Sequence, residues 1–209
     1  MDLGKDLEKA LIELRKEKQR KFDQSVDLII NLQKFNPKKT SINLVISVPN
    51  KSREKKIGAF LETKNKNIET ITPDEFKRYS DKKKMKKLVK KFDFFMAQAS
   101  LMPKVATNFG KVLGPSGKMP SPQLGLLFEV NDKAIAETKE KINNSIKVRV
   151  VEPSIKLSVG KQSMENKKII ENAITIYNAI LKEMPKEIEN IKNIELKLTM
   201  TKPQKIRVR

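Results

Sequence analysis

The chain has 209 residues, with 45 Lys and Arg against 25 Asp and Glu, and a formal net charge of +20. That length suits one large domain or two small ones, and 38% hydrophobic residues suffice for packed cores. There is no Cys and no His, so disulfides, thiol nucleophiles, Cys-ligated metals and the commonest general base are excluded.

No apolar run approaches the ~20 residues of a membrane-spanning helix, and the stretch from Met1 to Arg20 has no apolar core of a secretory signal. Counterions alone could balance an excess of +20, as in a merely soluble basic protein, but a polyanion that releases them is the usual partner of such a chain. An anionic membrane would favour a basic helix with a Trp- or Phe-rich face, and the chain has no Trp.

Leu3, Leu7, Leu11 and Leu14 recur at helical spacing and predict an amphipathic helix over 3–18. The period then changes to two. Phe22, Val26, Leu28, Ile30 and Leu32 share one face of a strand, and Ile42 to Val48 alternate as another. Residues 51–56 are a charged, linker-like run. Apolar strands follow at Ile57–Leu61 and Ile68–Ile71. Thr72, Pro73 and Glu75 read as N-cap, N1 and capping-box partner of a helix. A Lys-rich helix over Asp81–Lys91, a buried strand from Phe92 to Met96, a helix capped by Ser100 and ending near Val112, a buried strand over Leu124–Val130 and a helix over Asp132–Ile142 complete the middle. Alternating strands return at Ile146–Val150 and Ile155–Val159. Ser163 is expected to cap a long helix through Met184, and strands at Ile194–Leu198 and Ile206–Val208 close the chain. Strand-rich ends around a strand–helix middle suit a doubly wound unit inserted into an α+β domain.

Leu113-Gly114-Pro115-Ser116-Gly117-Lys118-Met119-Pro120 invites comparison with a phosphate-binding loop. The spacing of Gly110 and Gly117 is wrong, Met119 follows the Lys, and the loop leaves a helix instead of entering one. A rigid turn with glycines at positive φ is the simpler reading. Phe22, beside Lys18, Arg20 and Lys21, reads either as an aromatic platform for RNA or as the start of a core strand. Hydroxyls in Thr199-Met200-Thr201 could bond RNA or merely end a strand. The Lys83–Lys91 run reads as a solvated helix face.

Lys21-Phe22-Asp23-Gln24-Ser25-Val26, the loop Leu113–Pro120, Val159-Gly160-Lys161-Gln162-Ser163-Met164 and Thr199-Met200, in this order and spacing, resemble the ribosomal protein L-one family in its archaeal or eukaryotic form. The resemblance covers nearly the whole chain. It implies a two-domain α/β protein: an RNA-binding α+β domain from residues 1–49 and 145–209, and an inserted Rossmann-like domain over 50–144. It implies a cytoplasmic protein of the large ribosomal subunit, bound to large-subunit rRNA at the mobile stalk, that helps release exit-site tRNA and represses the mRNA of its own operon. No cofactor is implied. The family's RNA contacts carry over to Phe22, Ser25, Thr199 and Met200, with phosphate contacts expected from Lys18, Arg20, Lys21 and Lys161. Ser25 keeps the hydroxyl of the family's frequent Thr. Thr201 replaces the usual Gly, and its Cβ restricts positive φ. The competing reading, a nucleotide-dependent enzyme using the insert, lacks G-x-G-x-x-G, a P-loop and His.

Overall fold

The computed structural model describes residues 3–17, 20–37, 42–79 and 81–206. The first part of the chain forms α1 (Leu3–Lys16), β1 (Ser25–Leu32) and β2 (Ile42–Ser47). The middle forms β3 (Ile57–Phe60), β4 (Glu69–Ile71), a 3-10 helix (Pro73–Tyr79), α2 (Lys82–Lys91), β5 (Phe94–Gln98), a 3-10 turn (Ala99–Leu101), α3 (Met102–Ser116), β6 (Leu126–Leu127) and α4 (Asp132–Asn143). The last part forms β7 (Ser145–Val150), β8 (Ser154–Lys161), α5 (Asn166–Glu183), a 3-10 turn (Glu187–Asn190), β9 (Ile191–Leu198) and β10 (Gln204–Ile206). The fold is mixed α/β, in two compact units: Met1–Arg53 with Asn144–Arg209, and Glu54–Asn143.

In the end-built unit the antiparallel order is β10-β9-β1-β8. β1 is therefore sandwiched between two strands from the far end of the chain, with Val26 opposite both Gly160 and Leu198. Its period-two pattern explains this position. Val26, Leu28, Ile30 and Leu32 are buried and the intervening residues half-buried, which suits a sheet packed on one face. The core joins these residues to Leu7, Leu11 and Leu14 of α1 and Ile169, Ala173, Ile176 and Ile180 of α5. Both helices bury one apolar stripe at i, i+3/i+4 spacing. β2 and β7 form a separate antiparallel ribbon with buried Ile42, Ile46, Val148 and Val150.

The middle unit carries a parallel sheet in the order β4-β3-β5-β6. β3 is buried along its whole length, as parallel strands covered on both faces are. Phe60, Phe76, Phe95 and Phe109 fill the core, with the Phe60 ring 5.1–5.9 Å from the other three. Asn50, where the sequence suggests the insert begins, is instead tied to α5: its N–H donates to Asn172 Oδ1 (3.0 Å) and its carbonyl accepts from Asn172 Nδ2 (2.8 Å).

Several local expectations change. α1 ends at Lys16, and residue 18, to which the expected helix ran, lies outside the described residues. Phe22 precedes β1 and is exposed. The Thr72–Pro73 start opens a 3-10 helix, its tighter turn closed by the Glu75 N–H on Thr72 O. Ser100 does not cap α3; its hydroxyl donates to Glu62. Nor does Ser163 cap α5, because its hydroxyl donates to Asp23 and the helix begins three residues later. The expected strand over Leu124–Val130 shrinks to two residues, and Phe128 is 79% exposed. Gly125, at φ 98°, permits the close approach that begins the pairing: a Cβ there would lie 2.8 Å from Phe95 O, and the chain bonds or pairs with β5 at this glycine and the two residues after it.

The Gly/Pro loop is structural. α3 runs on to Ser116, past Gly110 and Gly114, so of the loop's glycines only Gly117 has positive φ (69°). The Gly117 N–H donates to Gly114 O and the Lys118 N–H to Leu113 O, the paired bonds of a Schellman cap. Lys118 Nζ then lies 2.7 Å from both Val89 O and Phe92 O, bonding carbonyls at the C-terminal end of α2, where a cation also meets the negative pole of the helix. Lys118→Ala should therefore lower the stability of this unit by about 1–3 kcal/mol, which a thermal melt checks.

Candidate nucleic-acid interface

Three connections meet at one end of the end-built sheet: the segment before β1, the β8–α5 turn and the β9–β10 turn. The antiparallel pairing of β1 with β8 and β9 forces the meeting, with Ser25 opposite Lys161. Thr199 N–H donates to Ser25 O (3.1 Å), and Ser25 N–H donates to Thr199 Oγ1 (3.1 Å). The Thr199 hydroxyl is thus already engaged by the protein backbone. It locks two strand ends together and keeps spare acceptor capacity for a ligand.

Gln24 is the centre of the arrangement. It is only 1% exposed. Its Oε1 accepts the Met200 N–H (3.1 Å), its Nε2 donates to Gln162 Oε1 (3.3 Å), and its carbonyl accepts the Gln162 N–H (2.8 Å). Asp23 holds the same turn from outside, accepting the Ser163 N–H (3.1 Å) and hydroxyl (2.9 Å). Arg15 Nη2 donates to Met164 O (2.6 Å). Gly160 makes room beneath: a Cβ there would lie 3.1 Å from both Ile169 Cγ1 and Met164 Sδ.

Above this buried frame two large apolar side chains stand in solvent, Phe22 at 52% and Met200 at 58% exposure. Phe22 is therefore not a core residue. Arg20 and Lys21 are exposed on the same segment. Lys161 is half-buried, with its ammonium 3.4 Å from Asp23 O. Lys18 lies outside the described residues. Thr201 is not at positive φ. Its hydroxyl accepts the Leu198 N–H (2.9 Å), so the residue in the glycine's place closes the turn with its own side chain. Along β1 the burial of Asp27 pushes its carboxyl above the usual value, against the opposing pull of Lys197 and Lys161.

The sequence reading missed Gln24, Asp23, Gln162 and Arg15. One signal was available for Gln24: it shares parity with Val26, Leu28 and Ile30, so a polar side chain sat on the apolar face of the strand. A buried amide at such a position needs partners, and here they are the other two connections.

The middle unit offers a contrast. Doubly wound sheets take nucleotides beyond the C-terminal ends of the strands, where the order reverses; here that point is between β3 and β5. No glycine-rich loop follows β3, and Glu62 sits there with its carboxylate 3.1 Å from Ser100 Oγ and its N–H 3.4 Å from Gln98 Oε1. A carboxylate at that mouth repels phosphate.

Two exposed apolar side chains, strand-end hydroxyls and flanking cations thus lie at one end of the sheet in a chain of charge +20. The profile of the ribosomal protein L1p/L10e family matches residues 14–202. The chain is 34% identical to the large ribosomal subunit protein uL1 of Nanoarchaeum equitans, over 89% of this chain and 92% of that one. It is 35% identical to uL1 of Thermoplasma volcanium (97% and 95%) and 34% to that of Pyrobaculum arsenaticum (93% and 89%). The chain belongs to the ribosomal protein L1p/L10e family, in an archaeal-like form, and is a structural protein and not an enzyme.

Proposed function

We propose that the chain is a constituent of the large ribosomal subunit in the cytoplasm and binds large-subunit rRNA through the Phe22–Met200 face. Relatives across most of its length carry that subunit's name. The observation that carries the reading is the placement of Phe22 and Met200: two exposed apolar side chains beside a buried glutamine that anchors the backbone of both segments. Burial of such side chains against ribose or base, with Arg20, Lys21, Lys161 and Lys18 on phosphate, is how proteins read folded RNA. Ser25, Thr199 and Thr201 add hydroxyls at the same place.

The finer reading follows from the same face. It sits on rRNA at the base of the mobile stalk, assists departure of exit-site tRNA, and takes the mRNA of its own operon when that RNA presents the same shape. The end-built α+β unit is the RNA-binding domain, and the unit inserted between its halves is Rossmann-like.

Filter binding with rRNA fragments tests the reading. Six or more phosphate contacts would lower affinity ~10³-fold or more between 50 and 200 mM salt, while a specific fragment keeps its advantage over random RNA. A flat salt response, or equal binding of both RNAs, would overturn it.

A further inference from the structure

We propose that the middle unit carries a second RNA site, a groove along α2 that takes an unpaired strand with a base on Tyr79 and phosphates on Arg78, Lys84 and Lys87. The groove has a volume of about 540 Å³ and lies between the end of the 3-10 helix, the start of β4 and one side of α2. It is distinct from the Phe22–Met200 face, and it lies off the C-terminal mouth of the sheet, since β4 contributes its first residue and not its last.

α2 reads Lys-Lys-Lys-Met-Lys-Lys-Leu-Val-Lys-Lys, seven lysines in ten residues, with Met85, Leu88 and Val89 buried. Lysines four apart, such as Lys83 and Lys87 or Lys86 and Lys90, repel and destabilise a helix. Among the described residues only Lys91 has an ion pair here, with Glu69. A polyanion relieves that repulsion by charge complementarity.

Lys84, Lys87 and Lys91 fall on one side of the helix, at i, i+3 and i+7, and all three line the groove. Glu69 neutralises Lys91, which leaves Lys84 and Lys87, about 4.5 Å apart along the axis, facing Arg78. Leu88 and Tyr79 supply an apolar floor. The Tyr79 ring packs toward Phe109 (6.3 Å between centroids) yet stays half-exposed. A cationic groove with an aromatic floor is how single strands are held, by stacking and phosphate contact together. Lys83, Lys86 and Lys90 carry the same charge on the same helix and do not line the groove.

The test uses the full chain carrying Phe22→Ala and Met200→Ala, so that failure of the first face cannot imitate failure of this one. The probe is a short labelled oligouridylate read by fluorescence anisotropy. Arg78→Glu/Lys84→Glu/Lys87→Glu should weaken binding about tenfold or more and lower the salt slope by about two to three contacts. Lys83→Glu/Lys86→Glu/Lys90→Glu, an equal change of charge, should cost less than about threefold. Tyr79→Leu should weaken the strand about 5- to 150-fold, and Tyr79→Phe should restore it at the same melting temperature. Equal losses from the two charge reversals would overturn the proposal, as would no effect of Tyr79→Leu, or a duplex or uridine monophosphate competing as well as the strand.

Discussion

Replacing Phe22 and Met200 together with alanine should weaken specific rRNA binding by at least about 30-fold while the melting temperature barely moves. Stacking on an aromatic is worth roughly 1–3 kcal/mol per base, and an apolar anchor desolvated at the centre of an interface contributes on a similar scale. Two such losses sum to about 2–6 kcal/mol if they add, with each 1.4 kcal/mol a factor of ten. Stability is spared because both side chains are more than half exposed in the free protein. The backbone ties at Gln24 and Thr199 do not involve the deleted atoms. Competition by random RNA should change far less, since lysine and arginine supply that affinity. If specific and random RNA lose equally, or the double variant melts early, the pair belongs to packing and not to recognition.

Gln24→Leu should do the opposite, damaging the fold and the binding face together. The substitution leaves the Met200 N–H without its acceptor and Gln162 Oε1 without its donor, around a side chain that is 1% exposed. Each buried polar group left unpaired costs about 1–3 kcal/mol, so a loss of roughly 2–4 kcal/mol is expected. The Met200 turn and the Gln162–Met164 turn would lose their common anchor, and specific affinity would fall with stability. Gln24→Glu keeps an acceptor for Met200 but loses the donor to Gln162, so it should fall between. Urea melts with paired filter-binding titrations read the two effects. A Gln24→Leu variant as stable as the parent would show that the buried amide does not hold these turns.

Much of the fold was legible because its signals are local and periodic. The alternation Val26-Leu28-Ile30-Leu32 and the stripe Leu7-Leu11-Leu14 report one buried face each, and the structure buries those faces. The errors fall where tertiary partners outweigh local chemistry. Ser163 and Ser100 are good cap residues, but Asp23 and Glu62 compete for their hydroxyls. Phe128 belongs to an apolar run that looks buried, yet that run pairs with β5 over two residues only and leaves Phe128 exposed. The site was legible in part. Phe22 and Met200 were named through a resemblance and through the company of cations, whereas the approach of their segments depends on β1 pairing with β8 and β9 across more than a hundred residues. Gln24 went unnoticed because its partners are backbone and side-chain groups of distant turns, which no local pattern displays.

On the proposed function, the end-built unit grips rRNA through these three connections. Amide hydrogen exchange of the full chain, with and without an rRNA fragment, tests it most directly, since exchange reports local opening residue by residue. Protection on binding should concentrate at residues 20–25, 161–164 and 199–201, with little change along β3 and β5. Protection confined to residues 54–143, with those three segments unchanged by a tightly bound fragment, would contradict the account.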